Sequence, residues 1–142
     1  PVEELKQLYA DGEVIANQTL DEPVEIKLDK AAYDLHIVTD YDGNMKLELF
    51  GHILQINTQD DCITFGKIKI PISSDRETVD IRIIADSCSF EVFADEGRFC
   101  ATLYAVCDYN LPYMRLSADS PITLQALSCH KLSPIHKEVE QA

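Results

Sequence analysis

Residues 80–106, DIRIIADSCSFEVFADEGRFCATLYAV, constrain the fold more than any other stretch of the chain. Ile81, Ile83 and Ala85 alternate with Arg82 and Asp86, and Phe90 and Val92 alternate with Ser89 and Glu91. A period of two built from β-branched and aromatic residues specifies half-buried strands, because successive side chains leave opposite faces. The stretch reads as two strands joined by a tight turn. Asp95-Glu96-Gly97 has the composition of a three-residue hairpin loop, with Gly97 free to take the left-handed conformation that ends such loops. In that register Ala94 pairs with Arg98, Phe93 with Phe99, Val92 with Cys100, Phe90 with Thr102, and Cys88 with Tyr104. Apolar then meets mostly apolar. The hairpin alone specifies an antiparallel β domain and no chemistry.

The rest of the chain repeats the theme. Residues 1–10 suit a short helix, with Pro1 in the first turn, Glu3 and Glu4 at the positive end, Leu5 and Leu8 on one face, and Gly12 as its stop. Strands are expected at Val14–Leu20 and Val24–Leu28. Tyr33–Asp40 and Asn44–Phe50 read as a second hairpin around Tyr41-Asp42-Gly43, pairing Asp40 with Asn44, Ile37 with Leu47 and Leu35 with Leu49. Ile53–Thr58 and Cys62–Ile70 follow, then a polar connection, the 80–106 stretch, a loop at Asp108–Pro112, and strands at Tyr113–Ala118 and Ile122–Leu132. The tail from Lys137 is expected to fray. About ten short strands with turn signals at regular spacing predict an all-β, two-sheet antiparallel sandwich, with one short N-terminal helix. No linker or repeat divides residues 1–142, which read as one domain with a core of useful size.

Charge and cysteine usage narrow the function classes. The 25 acidic and 12 basic residues give a net charge of −13, which argues against nucleic acid and anionic membranes as partners. The cysteines, Cys62, Cys88, Cys100, Cys107 and Cys129, are odd in number and form no CxxC, so buried thiols fit better than a secreted disulfide scaffold. No stretch is apolar enough to span a bilayer and no signal peptide is recognised, so the expected compartment is the cytoplasm.

Sites of chemistry are sparse. His36, His52, His130 and His136 lack metal-ligand spacing, and no Cys/His cluster forms, so neither a metal nor a cofactor is expected. No G-x-S-x-G or Gly-rich phosphate loop occurs. The acidic pairs Asp60-Asp61 and Asp95-Glu96 fall at predicted turns, where acids are ordinary solvated turn formers. With no Trp in the chain, the rings available to stack on a sugar are Tyr109 and Tyr113, flanking a loop with Asp108, and Tyr41 on a hairpin tip. A loop tyrosine is more often simply half-buried.

Asp86-Ser87-Cys88-Ser89-Phe90-Glu91-Val92-Phe93, followed by Gly97 and Thr102, resembles the signature of the C-terminal β-sandwich module of glycoside hydrolase family 32, the family of invertases, sucrose-6-phosphate hydrolases, levanases and inulinases. Cys88 stands where that pattern usually has Ser, and Tyr104 where it often has Arg. The opening PVEELKQLY resembles the segment leaving the family's catalytic propeller, and ITLQALSCHKLSPIH its closing strand, so residues 1–12 are expected to be the lead-in from that propeller. The resemblance implies a parent that is a retaining β-fructosidase acting on sucrose, sucrose 6-phosphate or fructans. The family's catalytic acids lie in Asn-Asp-Pro, Arg-Asp-Pro and Glu-Cys motifs of the propeller, and none of those strings occurs here. No catalytic residue is therefore assigned. The implied role is to pack beside the propeller and support it, and in some members to mediate oligomers or shape the active-site rim.

Within the motif, Asp86, Ser89, Glu91, Phe93, Gly97 and Thr102 are the candidate structural or interface residues. If Phe90 and Val92 point inward, Glu91 faces away with Ser89 and Phe93, on a face that a partner domain would cover. A Glu partly buried there needs a donor, for which Arg82 and Arg98 are candidates. The packing role also predicts an apolar patch on one sheet face. The alternatives are a free-standing carbohydrate-binding module, with fructosides as partners, and a non-sugar interaction domain of the same fold.

Overall fold

Thirteen strands run through the described residues, and their burial follows the alternation in the sequence. The structure is a computed structural model that describes residues 7–9, 13–73 and 76–132, with side chains from residue 15 onward. In chain order the strands are β1 (Gln7–Tyr9), β2 (Glu13–Leu20), β3 (Val24–Lys27), β4 (Tyr33–Asp40), β5 (Asn44–Leu49), β6 (His52–Asn57), β7 (Cys62–Phe65), β8 (Ile68–Pro71), β9 (Thr78–Asp86), β10 (Ser89–Ala94), β11 (Phe99–Tyr104), β12 (Tyr113–Ala118) and β13 (Ile122–Lys131). They form a seven-stranded sheet, β1-β3-β12-β5-β6-β7-β8, and a six-stranded sheet, β11-β10-β9-β4-β13-β2. All pairs are antiparallel except β1 with β3. The inward phase of each sheet meets the other in one core cluster that includes Ile26, Leu47, Leu54, Ile56 and Ile63 from the larger sheet and Tyr33, Leu35, Ile81, Phe90 and Leu127 from the smaller. The predicted two-sheet antiparallel sandwich is the observed architecture.

Several expectations at the level of elements need correction. Gln7–Tyr9 is an edge strand beside β3, not part of a helix, while residues 1–6 and the tail from Lys137 lie outside the described residues. The partner backbone supplied by Glu25–Lys27 outweighs helix propensity over three residues, which is too few to nucleate a helix alone. Residues 80–94 form two strands, not one. Asp86 pairs with Ser89, so Ser87-Cys88 is a two-residue turn. The Cys62–Ile70 strand likewise folds back at Gly66-Lys67, pairing Ile63 with Ile70.

The second predicted hairpin does not form. β4 belongs to the six-stranded sheet and β5 to the seven-stranded one, so Tyr41-Asp42-Gly43 carries the chain across the core from sheet to sheet. Tyr33, Leu35 and Ile37 therefore face Met45, Leu47 and Leu49 through the core rather than lying beside them. Thr58 braces this crossing, its hydroxyl accepting from Gly43 N at 3.0 Å and donating to Gly43 O at 2.7 Å.

The β10–β11 register is also shifted by one residue. Ala94 pairs with Phe99, Phe93 with Cys100, Val92 with Ala101, Phe90 with Leu103 and Ser89 with Tyr104. The loop is thus the four residues Asp95-Glu96-Gly97-Arg98, with three successive positive φ angles of 55°, 59° and 90° at Asp95, Glu96 and Gly97. The shift pairs inward Phe90 with half-buried Leu103 instead of the hydroxyl of Thr102, and leaves Thr102 on the outer face.

Candidate functional site

The recognised motif occupies one corner of the six-stranded sheet. Phe90 and Val92 point into the core, and Ser89, Glu91 and Phe93 point outward, as the alternation requires. Phe90 meets Phe65 and His52 of the opposite sheet, each at 5.2 Å between ring centroids. Glu91 is exposed and lies between Ile84 on β9 and Thr102 on β11. It needs no buried donor, and neither proposed arginine serves it. Arg82 is committed to Asp34, and Arg98 lies over the Phe99 ring at 5.5 Å. Asp86 caps its own turn by accepting from Ser87 N at 2.7 Å, while its carbonyl accepts from Cys107 Sγ at 3.0 Å. Gly97 stands in the hairpin loop with open space where a Cβ would be. Asp86, Gly97 and Thr102 are all exposed. The motif thus builds two turns and a core anchor, and it brings no set of catalytic groups together.

The loop tyrosines are engaged elsewhere. Tyr109 is half-buried edge-on against Phe50 at 5.2 Å, with Lys30 Nζ 5.6 Å from its ring centre. Burial raises its hydroxyl pKa, reinforced by the nearby Cys107 and Asp86. Asp108 N donates to Phe50 O, and the Asp108 carboxylate accepts from Asn110 N at 3.0 Å, so this loop is a turn closed by its own carboxylate and tied to Phe50. Tyr113 joins the same neighbourhood through its carbonyl, which accepts from Phe50 N. Tyr41 sits at the other end of β5, roughly 20 Å away by strand rise, where its hydroxyl donates to Asp61. Burial and that bond raise its pKa. The structure therefore gathers Asp108, Tyr109 and Tyr113 but separates Tyr41 from them, and Tyr41 and Tyr109 are packed rather than open platforms.

The acidic turn pairs also divide. Asp60 is solvated, but Asp61 holds Tyr41, and Asp95 is only 2% exposed. Asp95 Oδ2 accepts from Ser73 N at 3.0 Å, tying the β10–β11 loop to the strand connection beneath it. The expectation of an ordinary solvated turn acid is corrected there, because a left-handed backbone turns the side chain inward. Among the thiols, Cys62, Cys107 and Cys129 are buried and Cys88 and Cys100 exposed. Burial pushes Cys107 up to about 11 and Cys129 up to about 12, so both stay protonated and unreactive at neutral pH.

Among the described residues the outer sheet faces carry no apolar patch of the kind expected for packing. Among the described residues the exposed large apolar side chains are Ile53 (48%), Tyr104 (83%), Val106 (72%) and Leu111 (39%). Three of them, Ile53, Val106 and Leu111, lie in or beside the segments that meet at the Gly51-His52 turn, at one end of the sandwich. His52 Nε2 donates to Val106 O at 2.7 Å, and Leu111 Cδ1 would lie 3.2 Å from a Cβ at Gly51. Ile53 follows directly, and Tyr104 is two residues before Val106 on edge strand β11. Gly51, at φ +83°, is what lets this loop approach so closely.

Comparison with known proteins places this geometry. Residues 13–108 match the family described as Glycosyl hydrolases family 32 C terminal. No curated protein sequence matches the chain. The fold resembles that of an exo-inulinase from Aspergillus awamori, with a TM-score of 0.70 at 12% identity over 86% of this chain and 29% of that one. A β-fructofuranosidase from Schwanniomyces occidentalis gives 0.68 at 12% identity over 87% and 33%. A sucrose-6-phosphate hydrolase from Lactobacillus gasseri gives 0.60 at 20% identity over 83% and 29%. The chain spans about a third of the length of these structures.

Proposed function

The chain belongs to the C-terminal domains of glycosyl hydrolase family 32, and from that premise we propose that it is the accessory sandwich of a β-fructofuranosidase-type hydrolase, packed beside a catalytic propeller and supporting it. The single observation that carries this reading is the family match over residues 13–108, which runs from β2 through the loop after β11 and contains the whole motif hairpin. The parent's substrate class is sucrose, sucrose 6-phosphate or fructans, supported by the kinds of enzyme that share the fold. The chain itself contributes no catalytic acid. Retaining hydrolysis needs two carboxyl groups about 5–5.5 Å apart across a sugar, whereas Asp61 accepts from the Tyr41 hydroxyl and Asp95 is buried with Oδ2 on Ser73 N. Five free thiols support a parent that works in a reducing compartment.

The propeller docks on the end carrying Ile53, Val106 and Leu111. Exposed apolar groups gathered at one place lower the free energy only when something covers them, and roughly two thirds of each related structure lies outside the matched part. The test is association of the separately expressed chain and parent propeller, followed by gel filtration and fructose release. The expected result is a complex that V106D and L111D abolish without changing the melting temperature of the chain. Fructose release by the pure chain, or no complex with the unaltered chain, overturns the reading.

A further inference from the structure

The outer face of the six-stranded sheet holds a groove of about 460 Å³, inside the range of ~300–1,000 Å³ typical of small-molecule sites. One cross-strand row forms its floor, with His36 opposite Arg82 and Arg82 opposite Phe93. Asp34 and Asp80 flank that row, and Glu96 enters from the β10–β11 loop. The polar groups are held in place before any ligand arrives. Arg82 Nε donates to Asp34 Oδ1 at 2.9 Å and Nη2 donates to Oδ2, and the His36 ring donates to Asp80 Oδ1 at 2.9 Å. A guanidinium has five N–H donors and each carboxylate several lone pairs, so these pairings leave donors and acceptors over, side by side at fixed positions. The half-buried Phe93 ring supplies an apolar wall beside them.

We propose that this groove binds a neutral saccharide unit. A sugar hydroxyl donates and accepts at once, which suits a floor where guanidinium and carboxylate alternate, and its C–H face suits Phe93. An anionic ligand is opposed by three carboxylates against one guanidinium and the two imidazoles of His36 and His130, on a chain of net charge −13. A metal is opposed by the guanidinium at the centre, and no metal-holding group of three or more His, Cys, Asp or Glu occurs among the described residues. Pre-paired side chains lose little rotamer freedom on binding, which favours a polar ligand that needs exact placement. The site lies apart from the loop tyrosines, and it stands whether or not the propeller packs where argued above.

An amide NMR titration of the chain with sucrose and with short inulin- and levan-type oligosaccharides tests it, with inorganic phosphate as the anionic probe. Localised, saturable shifts are expected at residues 34–36, 80–82, 93–97 and 128–130. R82M and F93A should each weaken binding at least about tenfold, the loss expected when a charged hydrogen-bond donor or a stacked ring is removed. K69A, on β8 in the other sheet, should leave affinity unchanged, and well-dispersed spectra of all three variants separate lost contact from lost fold. Absence of saturable shifts, shifts confined to Tyr109–Tyr113, tighter binding of phosphate than of sugar, or protection of the groove amides by the parent's propeller in the absence of sugar would each overturn the assignment.

Discussion

Asp34 titrates below the ordinary carboxylate range because the Arg82 guanidinium hydrogen-bonds it, which outweighs the partial burial pushing the other way. Arg82 is raised for the reciprocal reason. A depressed folded-state pKa stabilises above the unfolded value, about 3.9 for Asp, and the gain is lost as pH falls through the folded value. R82M should therefore be modestly less stable than the parent chain at pH 7, and the difference should close below pH ~4. Urea unfolding of both chains across that range checks it, and a gap that widens on acidification refutes it. The pair is partly exposed, so the gap is the small one of a surface bridge. Only part of this was legible in the sequence. Asp34, Arg82, His36 and Asp80 all fall in the outward phase of strongly alternating strands, which shows as polar residues between Tyr33, Leu35, Ile81 and Ile83. Their meeting depends on β4 lying beside β9, forty residues away in the chain, and no local pattern encodes that neighbour.

At the scale of elements, the β9–β10–β11 meander is pinned to the opposite sheet by Phe90. It is fully buried and touches rings from both β6 and β7. F90A removes those contacts and leaves a cavity between two rigid layers, so it should cost about 3–5 kcal/mol in urea unfolding. F93A, three residues on and half-buried on the outer face, should cost less than half as much. Equal losses would mean that the two faces are equally packed. The same meander shows where alternation informs and where it fails. The inward phase is odd-numbered at Ile81, Ile83 and Ala85 but even-numbered at Phe90 and Val92. That change of parity is the mark of a turn with an even number of residues, and it was present in the sequence around Ser87-Cys88. The crossing at Tyr41–Gly43 left no such mark. A hairpin and a sheet-to-sheet crossing both put residues 33, 35 and 37 on the same side as 45, 47 and 49, so the pattern is identical for either. The β10–β11 slip by one residue turned on three left-handed residues in a row, of which only Gly97 takes that conformation freely.

For the molecule as a whole, an excess of 13 negative charges sets the electrostatic background. The ion pairs that oppose it, Arg82–Asp34, Arg115–Glu25 and Lys131–Asp29, are all at least partly exposed and worth about 0–1 kcal/mol each. Repulsion among the remaining acids acts over the whole surface and disfavours the compact state. Raising ionic strength from 0.01 M to 0.15 M shortens the screening length from about 30 Å to about 8 Å. That leaves the close contacts of the ion pairs partly intact while removing repulsion across the sandwich, so the melting temperature should rise with salt over this range. Differential scanning calorimetry at fixed pH in sodium chloride checks it. A melting temperature that falls would mean that the bridges outweigh the net charge, and that the two sheets are held at their outer faces more than their composition implies. A rise has a further consequence for assembly. A propeller that packs against the Ile53, Val106 and Leu111 end buries apolar surface and needs no opposite charge, so its association should strengthen with salt as the acidic sandwich is screened.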